Sequence, residues 1–287
     1  MYQFVTPKSR IPLQNFLNQE GTEIYYESIG TGPGLIFAHG LSGNYLSWWQ
    51  QVSYFCDRYN CVTFAHRGFY PSKEISSEPE PTTFVDDLAA LIEHLKFDDV
   101  FLVAQSMGGF ACLEYGLREP SRVRALVMAA TTGTVDLNSI HHQKMENWVT
   151  WTQQMNEVRA NLTMQGIHIA AGARLAHEQP ALHFLYREIE NISIGIDRAA
   201  LLAKLQQMCC LPATTLAQLR VPTLFIVGEE DVVSFPGASA ALSTIVPNAK
   251  FECVPNAGHS VYFERPQTFN HLIDSFFTSV TTSALST

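Results

Sequence analysis

The sequence predicts an α/β fold, in which helices cover both faces of a mostly parallel sheet. Short apolar segments alternate along the chain with longer segments of helical periodicity, which is the element order of this fold class. The segment 100–104 (VFLVA) is apolar throughout, as expected for a strand buried on both faces of a parallel sheet. A chain of 287 residues is also long enough to bury a large core within one domain.

The predicted strands are short and mostly apolar, and the first ones end at glycine-containing turns. They cover 23–29, 34–38, 61–64, 100–104, 123–129, 223–227 and 250–254. The predicted helices cover 44–59, 83–95, 106–117 and 266–277. In the segment 83–95 the apolar residues recur at helical spacing, which gives that helix one face for the core.

From about 135 to about 211 the alternation stops, and only helical patterns follow one another. We therefore predict a helical insertion, or cap, at 135–211, which divides the main domain into 1–134 and 212–287. A stripe of large apolar residues at steps of three or four runs through its first part, formed by Met145, Trp148, Trp151, Met155, Val158 and Leu162. This stripe is more consistent with packing against the main domain than with direct ligand contact.

Composition excludes several classes of partner. The formal net charge is -9, which argues against nucleic acid and against anionic membranes, since both need clustered Lys and Arg. The first ten residues lead into no long apolar run, so we expect neither a secretory signal nor a membrane-spanning segment. The six cysteines show no paired CxxC spacing with histidines. We therefore expect no zinc site. Because no secretory signal is expected, we also expect reduced thiols and a cytoplasmic location, and nothing in the sequence requires a cofactor.

Ser106 stands at the junction between the apolar segment 100–104 and the helix predicted after it. A tight strand-to-helix turn brings the backbone close on both sides of such a serine, so small residues are needed two positions before and after it. Here these residues are Ala104 and Gly108. The turn lifts the hydroxyl above the sheet at the positive end of the helix. A helix N-cap is the ordinary role of a serine in this position. The interpretation of Ser106 as a nucleophile therefore needs a nearby base that can take the proton of its hydroxyl.

His259 is the best candidate for that base among ten histidines. It follows Gly258 in a loop just after the last predicted strand, and loops at the carboxyl ends of parallel strands build the sites of open α/β sheets. A carboxylate must orient the base. Asp231 lies furthest into the loop after strand 223–227, and Glu229 and Glu230 are the alternatives.

An enzyme that transfers an acyl group also needs N–H donors for the tetrahedral oxyanion. The residue after the nucleophile supplies one of them, here the backbone of Met107. The loop after strand 34–38 supplies the other, and Leu41 is its best candidate. His39, at the start of that loop, is expected to support the loop through hydrogen bonds.

These landmarks together resemble the α/β-hydrolase superfamily, over about residues 23–277. They are His39-Gly40, Arg67-Gly68, the elbow Gln105-Ser106-Met107-Gly108-Gly109, and Asp231 and Gly258-His259 each behind a strand. The resemblance implies a mostly parallel eight-stranded sheet and the triad order Ser106, Asp231, His259. The common elbow has glycine where this chain has Ala104, and the common D-x-R-G loop reads Ala65-His66-Arg67-Gly68. We expect His66 to lie on the surface of its loop rather than in the site.

Within the superfamily, the S-M-G-G elbow with a helical insertion is similar to enol-lactonases, small esterases and carbon–carbon bond hydrolases. The serine disfavours haloalkane dehalogenases and epoxide hydrolases, which use an aspartate nucleophile. We expect a serine hydrolase that cleaves a carboxylic ester or lactone of a small, largely apolar molecule. The alternatives are a carbon–carbon bond hydrolase of a vinylogous diketone and a receptor that binds a ligand without turnover.

Four aromatic residues are candidates for substrate contact. Trp48 and Trp49 follow the loop that carries Leu41, and Phe110 and Trp148 are weaker candidates. Core packing is an equally good interpretation of each. The histidines at 141, 142, 168, 177 and 183 do not form ligand pairs at helical spacing, so no metal site is predicted among them.

Overall fold

The computed structural model describes residues 12–19, 21–73, 79–141 and 145–284. Its main sheet has eight strands in the order β1-β2-β4-β3-β5-β6-β9-β10. Its strands are β1 Leu13–Gln19, β2 Thr22–Ile29, β3 Gly34–Ala38, β4 Asn60–Phe64, β5 Val100–Gln105, β6 Val123–Ala129, β9 Thr223–Gly228 and β10 Lys250–Val254. Strand β2 pairs in antiparallel fashion with β1 and β4, and every other pairing in this sheet is parallel. The predicted α/β fold with a mostly parallel eight-stranded sheet is confirmed.

All seven predicted strands are present, and β1 is the strand of the main sheet that the sequence did not reveal. Its residues LQNFLNQ carry few apolar side chains and are mostly exposed. Strand β1 lies at the edge of the sheet and pairs with β2 in register from Leu13–Ser28 to Gln19–Thr22. An edge strand needs no buried face, so its sequence lacks the apolar pattern by which the other strands are recognised.

Helices flank the sheet and also fill the segment between β6 and β9. They are α1 Trp49–Phe55, α2 Phe84–His94, α3 Gly108–Arg118, α4 Trp148–Met164, α5 Gly172–Glu178, α6 Pro180–Ile192, α7 Arg198–Met208, α8 Pro236–Ser243, α9 Val261–Glu264 and α10 Pro266–Ala284. The predicted helix 44–59 is in fact a short 3-10 turn, Tyr45–Trp48, followed by α1.

The core has two layers because side chains alternate between the two faces of the sheet. Along β5, Leu102 packs on one face with the apolar residues of α2, α3 and α8. Phe101 packs on the opposite face with those of α1, α9 and α10. Strand β5 is buried along its whole length, so Ser106 follows a strand that is held firmly from both sides.

The segment predicted as a cap adds no strand to the main sheet. Two short strands, β7 Val135–Asp136 and β8 Leu211–Pro212, pair in parallel at its two ends, although no strand is predicted there. Helices α4 to α7 lie between them. Strands of two residues are too short to show a repeating pattern of apolar residues in the sequence. Within the described residues, no helix is long and apolar enough to cross a membrane.

Candidate active site

Ser106 lies in the turn between β5 and α3, with a backbone φ of 49°. This left-handed conformation costs a residue other than glycine about 1–3 kcal/mol and persists only where the surroundings enforce it. The N–H of Ser106 donates to the carbonyl of Ala129 on β6 at 3.0 Å. Because Ser106 cannot join the helix in this conformation, α3 begins at Gly108 rather than at the predicted residue 106.

Gly108 lets α3 approach the sheet closely. A Cβ atom built on Gly108 would lie 2.3 Å from the carbonyl oxygen of Ala38 on β3, which no real side chain tolerates. Ala104, on the other side of the serine, is fully buried. The structure thus gives the physical reason for the small residues two positions before and after Ser106.

Asp231 and His259 form a buried pair at the carboxyl ends of β9 and β10. His259 Nδ1 and Asp231 Oδ2 lie 2.9 Å apart. The other carboxylate oxygen, Oδ1, accepts the backbone N–H groups of Val233 at 2.7 Å and Ser234 at 2.9 Å. Both side chains are almost completely buried. An aspartate fixed in this way holds the proton of His259 on Nδ1 and leaves Nε2 to act as a base.

The two alternative carboxylates lie elsewhere. Glu230 is an exposed residue that forms a salt bridge with Arg174, from NH2 to Oε1 at 2.5 Å. Glu229 is exposed as well. Of the three candidates after β9, the structure brings only Asp231 to His259.

Glu264 is a residue of this site that the sequence did not reveal. Its carboxylate accepts the backbone N–H of Gly258 at 2.8 Å and that of Ser260 at 3.1 Å, on either side of His259. Burial raises the pKa of this carboxyl to about 8, against the opposing effect of the two hydrogen bonds. A glutamate in the short helix α9 has no sequence pattern of its own, so only the folded loop shows its role.

The loop after β3 lies directly over Ser106. It forms a turn in which the N–H of Gly43 donates to the carbonyl of Gly40 at 2.9 Å, with Leu41 and Ser42 in the middle. A Cβ atom on Gly40 would lie 2.0 Å from Gln105 Oε1 and 3.1 Å from the Cβ of Ser106. We call residues 40–43 the oxyanion turn.

Leu41 and Met107 both line the cavity that contains Ser106. Counting only partners in the described part of the chain, neither backbone N–H has a hydrogen-bond acceptor. Unpaired donors beside a serine are the arrangement that an oxyanion site requires.

His39 supports the oxyanion turn, as expected. Its Nδ1 donates to the carbonyl of Gly40 at 2.8 Å, and its Nε2 accepts the backbone N–H of His66 at 3.1 Å. Burial lowers the pKa of His39 to about 4. A neutral imidazole therefore joins the loops after β3 and β4.

The expectation that His66 lies on the surface is wrong. The residue is fully buried, and its ring stacks on Phe84 with centroids 4.7 Å apart. Burial holds the pKa of His66 well below its ordinary value. His66 therefore serves as a neutral packing residue beside His39, whereas Arg67 forms a buried salt bridge with Asp87.

A cavity of about 210 Å³ opens at Ser106 and His259. Its lining is mostly apolar and comes from both the main sheet side and the segment 135–211. The apolar lining residues are Leu41, Met107, Phe110, Ile169, Ala170, Leu202, Leu205 and Val233. Ser42, Gln105, Tyr186, Gln206 and Cys209 add polar atoms, and no lining residue among those described is Arg, Lys, Asp or Glu.

Of the four aromatic candidates for substrate contact, the structure places Phe110 at this cavity. Trp48 does not line it, because its side chain is fully buried between Phe37 and Tyr262. Trp49 is 46% exposed and lines a separate groove.

Trp148 packs against the core and is likewise absent from the cavity wall. No other member of its apolar stripe lines that wall either. Met145 and Leu162 of the stripe are buried, whereas Val158 is 37% exposed, so the expected packing role is wrong for Val158. Among the described residues, no group of three or more His, Cys, Asp and Glu side chains is arranged to hold a metal.

Comparisons with known proteins agree with the fold described above. A family model described as the alpha/beta hydrolase fold matches residues 33–266. A Mycobacterium tuberculosis protein named as a non-heme bromoperoxidase, BpoC, is 28% identical over 275 residues, which cover 89% of this chain and 97% of that protein. The 3-oxoadipate enol-lactonase 2 of Acinetobacter baylyi is 24% identical over 90% of this chain and 94% of its own length.

A solved structure, described as Est816, an N-acyl homoserine lactone degrading enzyme, superposes with a TM-score of 0.74. It is 23% identical and covers 91% of this chain and 100% of its own. Identity at this level shows a shared fold. It does not show a shared activity, which depends on the residues of this chain's own site.

Proposed function

Since this chain belongs to the alpha/beta hydrolase fold family, we propose that it is a serine hydrolase that cleaves a carboxylic ester or lactone through an acyl-enzyme. The observation that carries this proposal is the buried Asp231–His259 pair, 2.9 Å apart, whose histidine lines the same cavity as Ser106. A serine hydroxyl is a weak nucleophile without such a base.

In the first step, His259 Nε2 takes the proton of Ser106 Oγ as that oxygen attacks the carbonyl carbon. The carbonyl oxygen becomes an oxyanion, which accepts hydrogen bonds from the N–H groups of Leu41 and Met107. Asp231 stabilises the imidazolium without taking its proton. When the tetrahedral intermediate collapses, the alcohol oxygen leaves with the proton from His259, and the acyl group stays on Ser106.

In the second step, water replaces the alcohol. His259 takes a proton from the water as its oxygen attacks the acyl carbon, and then returns that proton to Ser106 Oγ. The carboxylic acid leaves, and the free serine is restored. For a lactone, the alcohol and acid are parts of one product, so the ring opens without a separate leaving group.

The cavity supports a small and largely apolar substrate. A volume of about 210 Å³ lies just below the roughly 300–1,000 Å³ of typical ligand sites. Its lining offers apolar side chains and a few neutral polar atoms to the substrate. The names of two similar proteins, an enol-lactonase and an N-acyl homoserine lactone degrading enzyme, add weight to lactones as a substrate class. We further propose that residues 135–211 form a cap that closes over this cavity.

The test is a screen of p-nitrophenyl esters, aliphatic lactones and a ring-fission vinylogous diketone, with the wild type and Ser106→Ala in parallel. We expect hydrolysis of short esters or lactones by the wild type and loss of nearly all of it in Ser106→Ala, with an unchanged circular dichroism spectrum. Full turnover by Ser106→Ala would reject the proposal.

Two further results separate the alternatives. Exclusive cleavage of the diketone would favour a carbon–carbon bond hydrolase that uses the same residues. A fluorophosphonate probe that never labels Ser106 in the folded wild type would favour a receptor without turnover. The proposal expects a single phosphonate adduct on Ser106 in the mass spectrum.

A further inference from the structure

The oxyanion turn is held by one short strip of the segment 135–211. This strip runs from the end of α6 to the start of α7 and contains Glu190, Ser193 and Arg198. Arg198 Nε lies 3.4 Å from the carbonyl oxygen of Leu41, and Arg198 NH2 donates to the backbone carbonyl of Glu190 at 2.7 Å. The Glu190 carboxylate in turn forms a salt bridge with Arg198.

We propose that Arg198 and Glu190 are positioning residues that fix the oxyanion turn, so that the segment 135–211 controls the Leu41 donor as well as the shape of the cavity. This inference rests on the proposed function, since it concerns the step in which an oxyanion forms. Neither residue belongs to the cavity wall, and each acts through the turn.

The Leu41 N–H belongs to the peptide between Gly40 and Leu41, and the carbonyl oxygen of that peptide accepts hydrogen bonds from His39 Nδ1 and from the N–H of Gly43. The next peptide, between Leu41 and Ser42, is the central peptide of the turn. Its carbonyl oxygen accepts a hydrogen bond from Arg198. Leu41 is therefore held through both of its peptides, by His39 on one side and by Arg198 on the other.

Glu190 holds Arg198 in place. Its Oε1 lies 3.4 Å from Arg198 Nε, and its Oε2 lies 3.0 Å from His168 Nε2. Burial acts to raise the pKa of the Glu190 carboxyl, but the hydrogen bond from His168 and the charge of Arg198 bring it below its ordinary value. The carboxylate is thus ionised at neutral pH, and it holds Arg198 against the turn.

A second tether joins the same strip to the far end of the loop. Asn44, directly after the oxyanion turn, donates from Nδ2 to Ser193 Oγ at 3.2 Å and to the carbonyl of Tyr70 at 2.6 Å. Asn44 and Ser193 are both buried. With both ends of the loop fixed, the contact from Arg198 to the Leu41 carbonyl holds the residue that carries the proposed donor.

The test compares Arg198→Ala, Arg198→Lys and Glu190→Gln with the wild type. Arg187→Ala is the matched control, because Arg187 also lies in the segment 135–211 and also donates to a backbone carbonyl, that of Gly166 at 3.3 Å, away from the turn. For each variant, kcat and KM are measured with p-nitrophenyl acetate. Inhibition constants are measured for a trifluoromethyl butyl ketone, which forms an oxyanion on the serine, and for the matching secondary alcohol, which does not.

We expect kcat of Arg198→Ala to fall by about 10- to 100-fold, less than the ~100- to 1000-fold that follows loss of a whole oxyanion donor. The ketone should lose affinity by a similar factor, whereas KM and the affinity for the alcohol stay within about threefold. Arg198→Lys and Glu190→Gln should show smaller losses of the same pattern. A purely structural role would lower the melting temperature and affect ketone and alcohol equally.

The inference is overturned if Arg198→Lys, which keeps the charge and the fold, and Arg198→Ala both retain kcat and ketone affinity within about twofold of Arg187→Ala. The Ser106→Ala variant separates this failure from failure of the proposed function. Turnover by Ser106→Ala rejects the serine mechanism itself, whereas an inactive Ser106→Ala beside a fully active Arg198→Ala rejects only the role of Arg198.

Discussion

The carboxylate of Glu264 accepts the backbone N–H of Gly258 at 2.8 Å, directly before the histidine of the site. It also binds the N–H of Ser260, so one side chain fixes the backbone on both sides of His259. The carboxyl is 2% exposed. Burial of this carboxyl therefore lowers the stability of the folded protein. The destabilised group lies at the loop that holds His259 in a fixed position.

That cost should make stability depend on pH. Burial raises the pKa of Glu264 from its ordinary value near 4.5 to about 8. Between these values the folded state binds a proton that the unfolded state releases, so the free energy of unfolding falls as pH rises from about 5 to 8. We expect a decrease on the order of a few kcal/mol in the wild type, by urea unfolding at several pH values, and a flatter profile in Glu264→Gln. Parallel profiles for the two proteins would contradict this assignment.

Asp231→Asn should remove catalysis without removing the fold. The amide oxygen can still accept the N–H groups of Val233 and Ser234, which turns the amide NH₂ toward His259 Nδ1. The imidazole must then carry its proton on Nε2, where it cannot accept the proton of Ser106. We expect kcat to fall by roughly 10³–10⁴-fold, as is typical when this tautomer is lost, with little change in melting temperature.

Glu229→Gln is the control for that variant, since it removes a carboxylate from the same loop but from an exposed position. Its kcat should equal that of the wild type. A large loss in Glu229→Gln together with an active Asp231→Asn would mean that the orienting carboxylate has been assigned to the wrong residue.

Gly108→Ala should destabilise the protein because the new methyl group would lie 2.3 Å from the Ala38 carbonyl oxygen. Steric strain of this kind costs about 1–3 kcal/mol. Gly116→Ala, in the same helix, has its closest contact at 3.6 Å and should be neutral or stabilising by up to about 1 kcal/mol, because alanine favours the helix. Urea unfolding of both variants measures the contrast, and equal stabilities would disagree with the close packing of α3 on β3.

Phe110→Ala should change the choice of acyl chain, since Phe110 lines the cavity. The larger space should raise kcat/KM for p-nitrophenyl hexanoate relative to the acetate by about tenfold, the effect of a small change in an apolar pocket. Trp49→Ala should leave this ratio unchanged within about twofold, because Trp49 is exposed outside the cavity. The opposite result would place the acyl site in the groove at Trp49.

The sequence by itself determined the fold and the order of the elements. Buried strands such as 100–104 have a strong apolar pattern, and helix 83–95 has a regular one, because each must present a continuous face to the core. The small residues around Ser106 and the position of His259 behind the last strand are local features, so the candidates for nucleophile and base were visible without a structure.

Only the tertiary structure decided which side chains meet. It brought Asp231 rather than Glu229 to His259, placed Glu264 beneath the histidine loop, and buried His66 and Trp48 in the core. It also joined Arg198 to Leu41, two residues separated by 157 positions. Such contacts join segments that are far apart in the chain. They therefore produce no regular spacing of residues from which they could be predicted.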